Sequence, residues 1–584
     1  MSQVLRVRGR SRRFPAGLVL ATTLASATAV LGPAPAAATV DLFQPEPRGA
    51  HTPRPTSRSN GPQGEVEKGS VDTAPSCAEL AGREIPASAI SLPTKGGRVG
   101  SAALVTQTVA GETIEYCSVG AALFPIDPSA PDIRLHIAMP VDWNRNAMMF
   151  GGGGYNGTIP NITQNVPFGR PDQPTPLARR YVTFASDSGH QAGPAGSLDG
   201  SFGMNDEALR NFAAGDALKK TRDAAMYLVR RGYGAGPSRT YFAGGSTGGR
   251  EALVVAQRWP DAFDGVISAY PAWNNTAEVL HLGYLAQVMS RPGAFPGPDK
   301  QALLYNSVME ACDGRDGLED KIISNLDGCD LDPRVLRCPE GVDAGPTCLS
   351  DPQITSVIAA SRPFSWPYRI ASGERYYPGF PLLSGADMRT PVLGFGTSAP
   401  ANPMPATSGY GAQYWDQWVK YFLTRDPDYN SLAIDPRRPG KWLPRISYLS
   451  TIQDRNNSDL RPFARSGGKL LLLHGSADEL VSHRSTNDYY RRVLDTVGPR
   501  QTQEFMRYYL VPGANHANVG APAFAANWDS LSALERWVEE GRPPVKPVAI
   551  DGRSGRTRPL CEYPRWPKYR SGDPDSAHSF VCAR

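Results

Sequence analysis

Between about residues 100 and 275, short apolar runs alternate with longer stretches of helical spacing. Strands are predicted at 133–138 (IRLHIA), 147–150, 181–185 (YVTFA), 240–243 and 266–269. Helices are predicted at 207–232, ending on Gly232 and Gly234, and at 248–259. The alternation is lost over 276–445, a stretch rich in turn residues that holds four of the cysteines. It returns at 469–473 (KLLLL) and 505–511, flanked by predicted helices at 485–497 and 523–540. Strands that alternate with helices argue for an α/β fold with a mostly parallel sheet covered on both faces. The chain therefore reads as core at 74–275, an inserted lid domain at 276–445, and core again at 446–584.

The first residues follow a different logic. Arg6, Arg8, Arg10, Arg12 and Arg13 precede an apolar run from Ala16 to Leu31 and then Ala34-Pro35-Ala36-Ala37-Ala38. This is the layout of an export signal, residues 1–38, cleaved after Ala38. The apolar run is short for a membrane span. Ser11-Arg12-Arg13-Phe14 faintly resembles a twin-arginine signal. Residues 39–73, rich in Pro, Ser, Thr and Gly, read as a flexible leader. The formal charge of +5 is matched by the five arginines of residues 1–38, which hold no other charge, so the remainder is close to neutral. No basic field is left for nucleic acid. Eight cysteines in an oxidising compartment predict disulfides, with the pairing open. No CxxC or Cys/His spacing points to zinc.

Gly244-Gly245-Ser246-Thr247-Gly248 is a G-x-S-x-G between an apolar strand and an apolar helix. That context makes Ser246 a candidate nucleophile at a strand-to-helix elbow. A serine nucleophile needs a base and a group that orients the base, and in this arrangement they follow in the order Ser, Asp, His. Asp478 follows the strand 469–473, and His516 follows 505–511. Gly151-Gly152-Gly153-Gly154 follows the strand 147–150, where backbone N–H groups of Gly153 or Gly154, with that of Thr247, could face a substrate oxyanion. His474, four residues before Asp478, is read as lining the substrate pocket or as a hydrogen-bonded structural residue. In 313–322 (DGRDGLEDKI), Asp313, Asp316 and Asp320 could converge on a hard cation with backbone carbonyls, or form a solvated acidic turn.

Taken together, GGGGYNG (151–157), SDSGH (186–190), YFAGGSTGGREAL (241–253), RWPDAFDGVISAYPA (258–272), CDGRDGLEDKI (312–322), RSGGKLLLLHGSAD (465–478) and VPGANH (511–516) resemble the tannase and feruloyl esterase family, which includes a terephthalate monoester hydrolase. The resemblance covers about 75–584. It implies an α/β-hydrolase core with a large lid and a secreted serine esterase with the triad Ser246, Asp478 and His516. It also implies a structural calcium held by the carboxylates of Asp313, Asp316 and Asp320 and the carbonyls of Leu318 and Ile322. The implied disulfides are Cys77–Cys117, Cys312–Cys329, Cys338–Cys348 and Cys561–Cys582. No organic cofactor is implied. The substrate class is a small ester, with an aromatic acyl group such as feruloyl or galloyl expected. A terephthalate monoester or aliphatic polyester fragment is the alternative, and a binding protein on an inactive scaffold is the rival of another class. Family members commonly carry a disulfide between the residue before the serine and the residue after the histidine. Here those positions are Gly245 and Ala517, so packing is expected to hold the two loops. The aromatics Trp366, Tyr368, Tyr410, Tyr414, Trp415, Trp418 and Tyr421 are read as candidate stacking groups or as lid core.

Overall fold

Leu470 to Leu473 form an unbroken apolar, buried run, which suits a strand covered on both faces. The computed structural model describes residues 76–584 apart from Ala110, Asp330, Pro391 and Ala521. The expected export signal and leader lie outside the described residues.

One ten-stranded sheet organises the fold. Its strands are β1 (Glu84–Ile85), β2 (Gly97–Val109), β3 (Glu112–Leu123), β4 (Ile133–Pro140), β5 (Asn146–Phe150), β6 (Val182–Ser186), β7 (Arg239–Gly245), β8 (Gly265–Ala269), β9 (Lys469–Gly475) and β10 (Met506–Val511). The spatial order is β1-β2-β3-β4-β6-β5-β7-β8-β9-β10. The six strands from β6 to β10 pair in parallel. β1 to β4 form an antiparallel edge, joined antiparallel to β6. This is an α/β-hydrolase core with a mostly parallel sheet.

The period-two geometry of a strand sends neighbours to opposite faces. Phe242, Val266, Leu470 and Leu472 join one apolar cluster, with the helices Asp216–Tyr233, Thr247–Arg258 and His483–Val497. Tyr241, Ile267, Leu471 and Leu473 join another, with the helix Ser530–Glu540. Leu472 is fully buried. Leu472→Ala is expected to cost about 2–5 kcal/mol, read as a lowered midpoint in thermal or urea unfolding.

The segment 276–445 builds a third cluster around Trp415, Trp418, Phe364 and Phe380. That cluster also takes in Tyr155, Phe202, Leu209 and Phe212. The inserted segment therefore shares its core with the loops and helix that follow β5 and β6. Four disulfides close Cys77–Cys117, Cys312–Cys329, Cys338–Cys348 and Cys561–Cys582, the pairing implied by the resemblance. Among the described residues, no helix is long and apolar enough to cross a membrane.

Three predicted elements differ from the observed ones. The helix over 207–232 is two helices, Asp206–Ala213 and Asp216–Tyr233, broken at Gly215. The helix over 523–540 starts only at Ser530, where the Asp529 carboxylate accepts the Ser532 N–H at 3.2 Å. The strand over 505–511 starts at Met506, because Pro499–Phe505 is helical.

Candidate active site

The turn from β7 into the helix Thr247–Arg258 is made by one residue, Ser246, with φ 61° and ψ −122°. A non-glycine residue held there costs about 1–3 kcal/mol, and surrounding structure must enforce it. Enforcement comes from close packing. A Cβ at Gly244 would overlap the Gly248 carbonyl, and one at Gly248 would lie 2.7 Å from the Gly152 oxygen. Ser246 N–H donates to Ala269 O at 3.0 Å, tying the elbow to β8. Ser246 is half-buried and lines a pocket with Gly154, Thr247, Ala272, Glu278 and Tyr414.

The glycine loop after β5 is fastened to this elbow. Gly248 N–H donates to Gly152 O at 2.8 Å, and the Thr247 hydroxyl donates to Gly154 O at 2.7 Å. Beneath it, the buried Glu251 carboxylate accepts the Gly152 N–H at 3.0 Å and the Asn156 amide at 2.7 Å. Gly154 and Thr247 thus reach the same pocket as Ser246.

Asp478 and His516 sit in the loops after β9 and β10. His516 Nδ1 lies 2.9 Å from Asp478 Oδ2 and 3.1 Å from Oδ1. A carboxylate only accepts, so Nδ1 carries the proton and Nε2 is the free basic nitrogen. Asp478 Oδ1 also accepts the N–H groups of Leu480 (2.9 Å) and Val481 (2.8 Å). Burial opposes charge on Asp478, but His516 and His474 outweigh it and hold the carboxyl far below its usual range. Burial would likewise lower His516, yet Asp478 outweighs it and keeps the imidazole above its ordinary value. Among the described residues no hydrogen bond joins Ser246 Oγ to His516 Nε2.

His474 corrects one expectation. It is fully buried, with Nε2 2.9 Å from Val481 O and Nδ1 2.9 Å from the Thr486 hydroxyl. Nε2 also lies 3.3 Å from Asp478 Oδ2. Facing a carbonyl and a carboxylate, Nε2 must bear the proton. His474 therefore backs the carboxylate and does not line the pocket. Among the aromatics, Tyr410 and Tyr414 line the pocket at Ser246. Trp366, Trp415 and Trp418 are buried in the core of the inserted segment, with Tyr368 and Tyr421 packed against it.

At Gly245, one of the two positions that lack cysteine, Tyr270 takes the space. Its ring packs on His516 with centroids 4.7 Å apart, and a Cβ at Gly245 would overlap its hydroxyl. A tyrosine thus fills the space between the serine and histidine loops. It lies within the motif 258–272, but its role is not readable there, because it depends on the register of β8 beside β7.

Glu479 escaped sequence reading as well. Its carboxylate accepts the His516 backbone N–H at 3.1 Å. Burial, and then the negative charge of Asp478, push it up to about 7.

The loop 313–322 folds around its own carboxylates. Asp313 Oδ2 accepts the Lys321 N–H, Asp316 accepts those of Leu318 and Ser324, and Asp320 accepts that of Ile322 and pairs with Arg558. Asp313 Oδ1 is buried with no partner. Burial pushes Asp316 up to about 6, and Asp320 adds to the effect. Hard oxygen donors of this kind suit calcium. Among the described residues, however, no three His, Cys, Asp or Glu side chains converge as a metal site, and Arg558 holds one Asp320 oxygen.

The fold agrees with the comparisons to known proteins. Residues 117–583 match the family model described as tannase and feruloyl esterase. An uncharacterised esterase of Agrobacterium fabrum is 38% identical over 524 residues, covering 87% of this chain and 93% of the relative. The mono(2-hydroxyethyl) terephthalate hydrolase of Piscinibacter sakaiensis is 29% identical, covering 80% and 85%. The crystal structure of feruloyl esterase B from Aspergillus oryzae superposes with a TM-score of 0.68 at 22% identity, covering 87% of this chain and all of that one. The chain belongs to the tannase and feruloyl esterase family and is a carboxylic ester hydrolase.

Proposed function

We propose that the protein is an exported serine esterase acting on esters of aromatic acids through Ser246, His516 and Asp478. The observation that carries the reading is the Asp478–His516 pair, spanning the loops after β9 and β10 beside a strained serine elbow on β7. His516 Nε2 takes the Ser246 proton as Oγ attacks the ester carbonyl. The oxyanion is received by N–H groups of Thr247 and of Gly153 or Gly154. Collapse expels the alcohol, which takes the proton from His516, and water releases the acid from the acyl-enzyme by the same steps.

The aromatic class is supported by the names of relatives: a probable feruloyl esterase of Arthroderma benhamiae and the terephthalate monoester hydrolase. Export is supported by the four disulfides and by the basic, apolar and small-residue order of residues 1–38. A panel of methyl ferulate, methyl gallate, a terephthalate monoester and an aliphatic ester tests the class. Preference for the aliphatic ester would overturn it. Labelling of Ser246 by a fluorophosphonate, read by mass, is expected; unlabelled folded protein would favour a binding role.

His516 must be neutral to accept a proton. Activity is therefore expected to rise with pH through an apparent pKa above the ordinary imidazole value of about 6.5. Ionised Glu479 favours the charged imidazole, so Glu479→Gln is expected to lower that apparent pKa in a kcat/KM–pH profile. Gln can still accept the His516 N–H.

A second reading concerns the loop 313–322. We infer that the carboxylates of Asp313, Asp316 and Asp320, with the carbonyls of Leu318 and Ile322, hold a structural calcium. The unpartnered, buried Asp313 Oδ1 supports it. The ion would neutralise crowded carboxylates and cross-link the loop. A ligand bound only by the folded state raises stability. A chelator is expected to lower Tm and added calcium to restore it; superimposable melts would count against the site.

A further inference from the structure

The helix Asn275–Met289 is apolar on nearly every side, yet it carries one acid, Glu278, in its first turn. Glu278 is only 4% exposed and lines the pocket that holds Ser246, Gly154 and Thr247. Its Oε2 is buried without a hydrogen-bond partner. The proposed acyl-transfer steps make no use of it.

The surroundings dictate its state. Ala272, Leu282, Leu480 and Val481 form apolar walls around the pocket, and no lysine or arginine lines it. The groups that face Glu278 are Tyr377, whose hydroxyl accepts the Ser482 N–H at 3.0 Å and hydrogen-bonds the Glu278 carboxyl, together with Tyr414 and the negative Asp478. Burial, then Asp478, raise the Glu278 carboxyl well above its usual range. The Tyr377 hydrogen bond opposes this rise but does not outweigh it, and a buried carboxylate with no cation beside it is costly, so the group keeps its proton. A protonated carboxyl offers one O–H donor and retains an acceptor. Here it faces the space where an ester must lie to meet Ser246.

We propose that Glu278 is a specificity-determining residue that hydrogen-bonds an uncharged hydroxyl on the acyl group of the substrate, in a pocket that offers no cation to an acyl group bearing a second, free carboxylate. The proposal rests on the serine-esterase reading and narrows its substrate class to hydroxylated aromatic acids over terephthalate monoesters. A site that pairs a buried polar group with a substrate hydroxyl rejects the analogue lacking it, because its own group is then left unpaired.

The test compares methyl 4-hydroxycinnamate, methyl cinnamate and monomethyl terephthalate. The wild-type enzyme is expected to favour the hydroxylated ester over methyl cinnamate by about tenfold or more in kcat/KM. Glu278→Gln keeps a neutral donor and is expected to retain most of that ratio. Glu278→Leu is expected to bring it near one. A wild-type ratio near one overturns the proposal even if the leucine variant fails to fold. An unchanged ratio in folded Glu278→Leu does the same. Loss of fluorophosphonate labelling and of turnover on all three esters would instead strike the serine-esterase reading.

Discussion

Ser246→Ala is expected to reduce kcat/KM for every ester by about 10⁴- to 10⁶-fold, leaving only what the oxyanion donors and binding supply. At 1.36 kcal/mol per factor of ten, that is roughly 5–8 kcal/mol of lost transition-state stabilisation. Folding should survive, because the substitution removes one half-buried hydroxyl. Alanine tolerates the backbone angles of Ser246 no better and no worse than serine, so a Tm near that of wild type is expected. Retained turnover would overturn the assignment of the nucleophile.

Asp478→Asn should be almost as damaging, by a different route. Asp478 accepts from four donors at once: the N–H groups of Leu480 and Val481, His516 Nδ1 and His474 Nε2. If the asparagine oxygen keeps the backbone pair, its NH₂ group points at two ring N–H groups. Two donors cannot share a hydrogen bond, so His516 is driven to the tautomer with the proton on Nε2. That nitrogen can no longer take the serine proton. A loss of about 10⁴-fold in kcat is expected. His474 cannot yield in the same way, since its Nε2 proton is fixed by Val481 O. One donor is left facing another in a buried site, and Tm should fall as well. Nearly full activity in folded Asp478→Asn would remove Asp478 from the role of orienter.

The parts of the site readable in the sequence are those fixed by local order. Glycines on either side of Ser246, between an apolar strand and an apolar helix, mark an elbow because few other sequences can make that turn. Asp478 and His516 each follow an apolar run, which places them at one end of a parallel sheet. What escaped reading depends on neighbours distant in sequence. Tyr270 matters because it meets Gly245 across two strands. His474 has a histidine's chemistry but a core residue's surroundings, which only the Val481 and Thr486 contacts reveal. Glu278 did leave a signal, a lone acid in an apolar helix, but whether such an acid is paired cannot be read from spacing. The fold shows the same division. The parallel strands announced themselves as apolar runs, while the break at Gly215 lay inside one continuous periodic pattern.

The Tyr270 ring between the serine and histidine loops has a consequence for how this enzyme meets a reducing environment. Its four disulfides pair cysteines at Cys77–Cys117, Cys312–Cys329, Cys338–Cys348 and Cys561–Cys582, none of them in the loops of Ser246, Asp478 or His516. Thiols added to the folded protein can loosen its scaffold, yet no sulfur–sulfur bond joins the reacting groups. Catalysis should therefore tolerate reductant at any temperature where the fold holds, and the loss of activity should follow unfolding with no earlier step of its own.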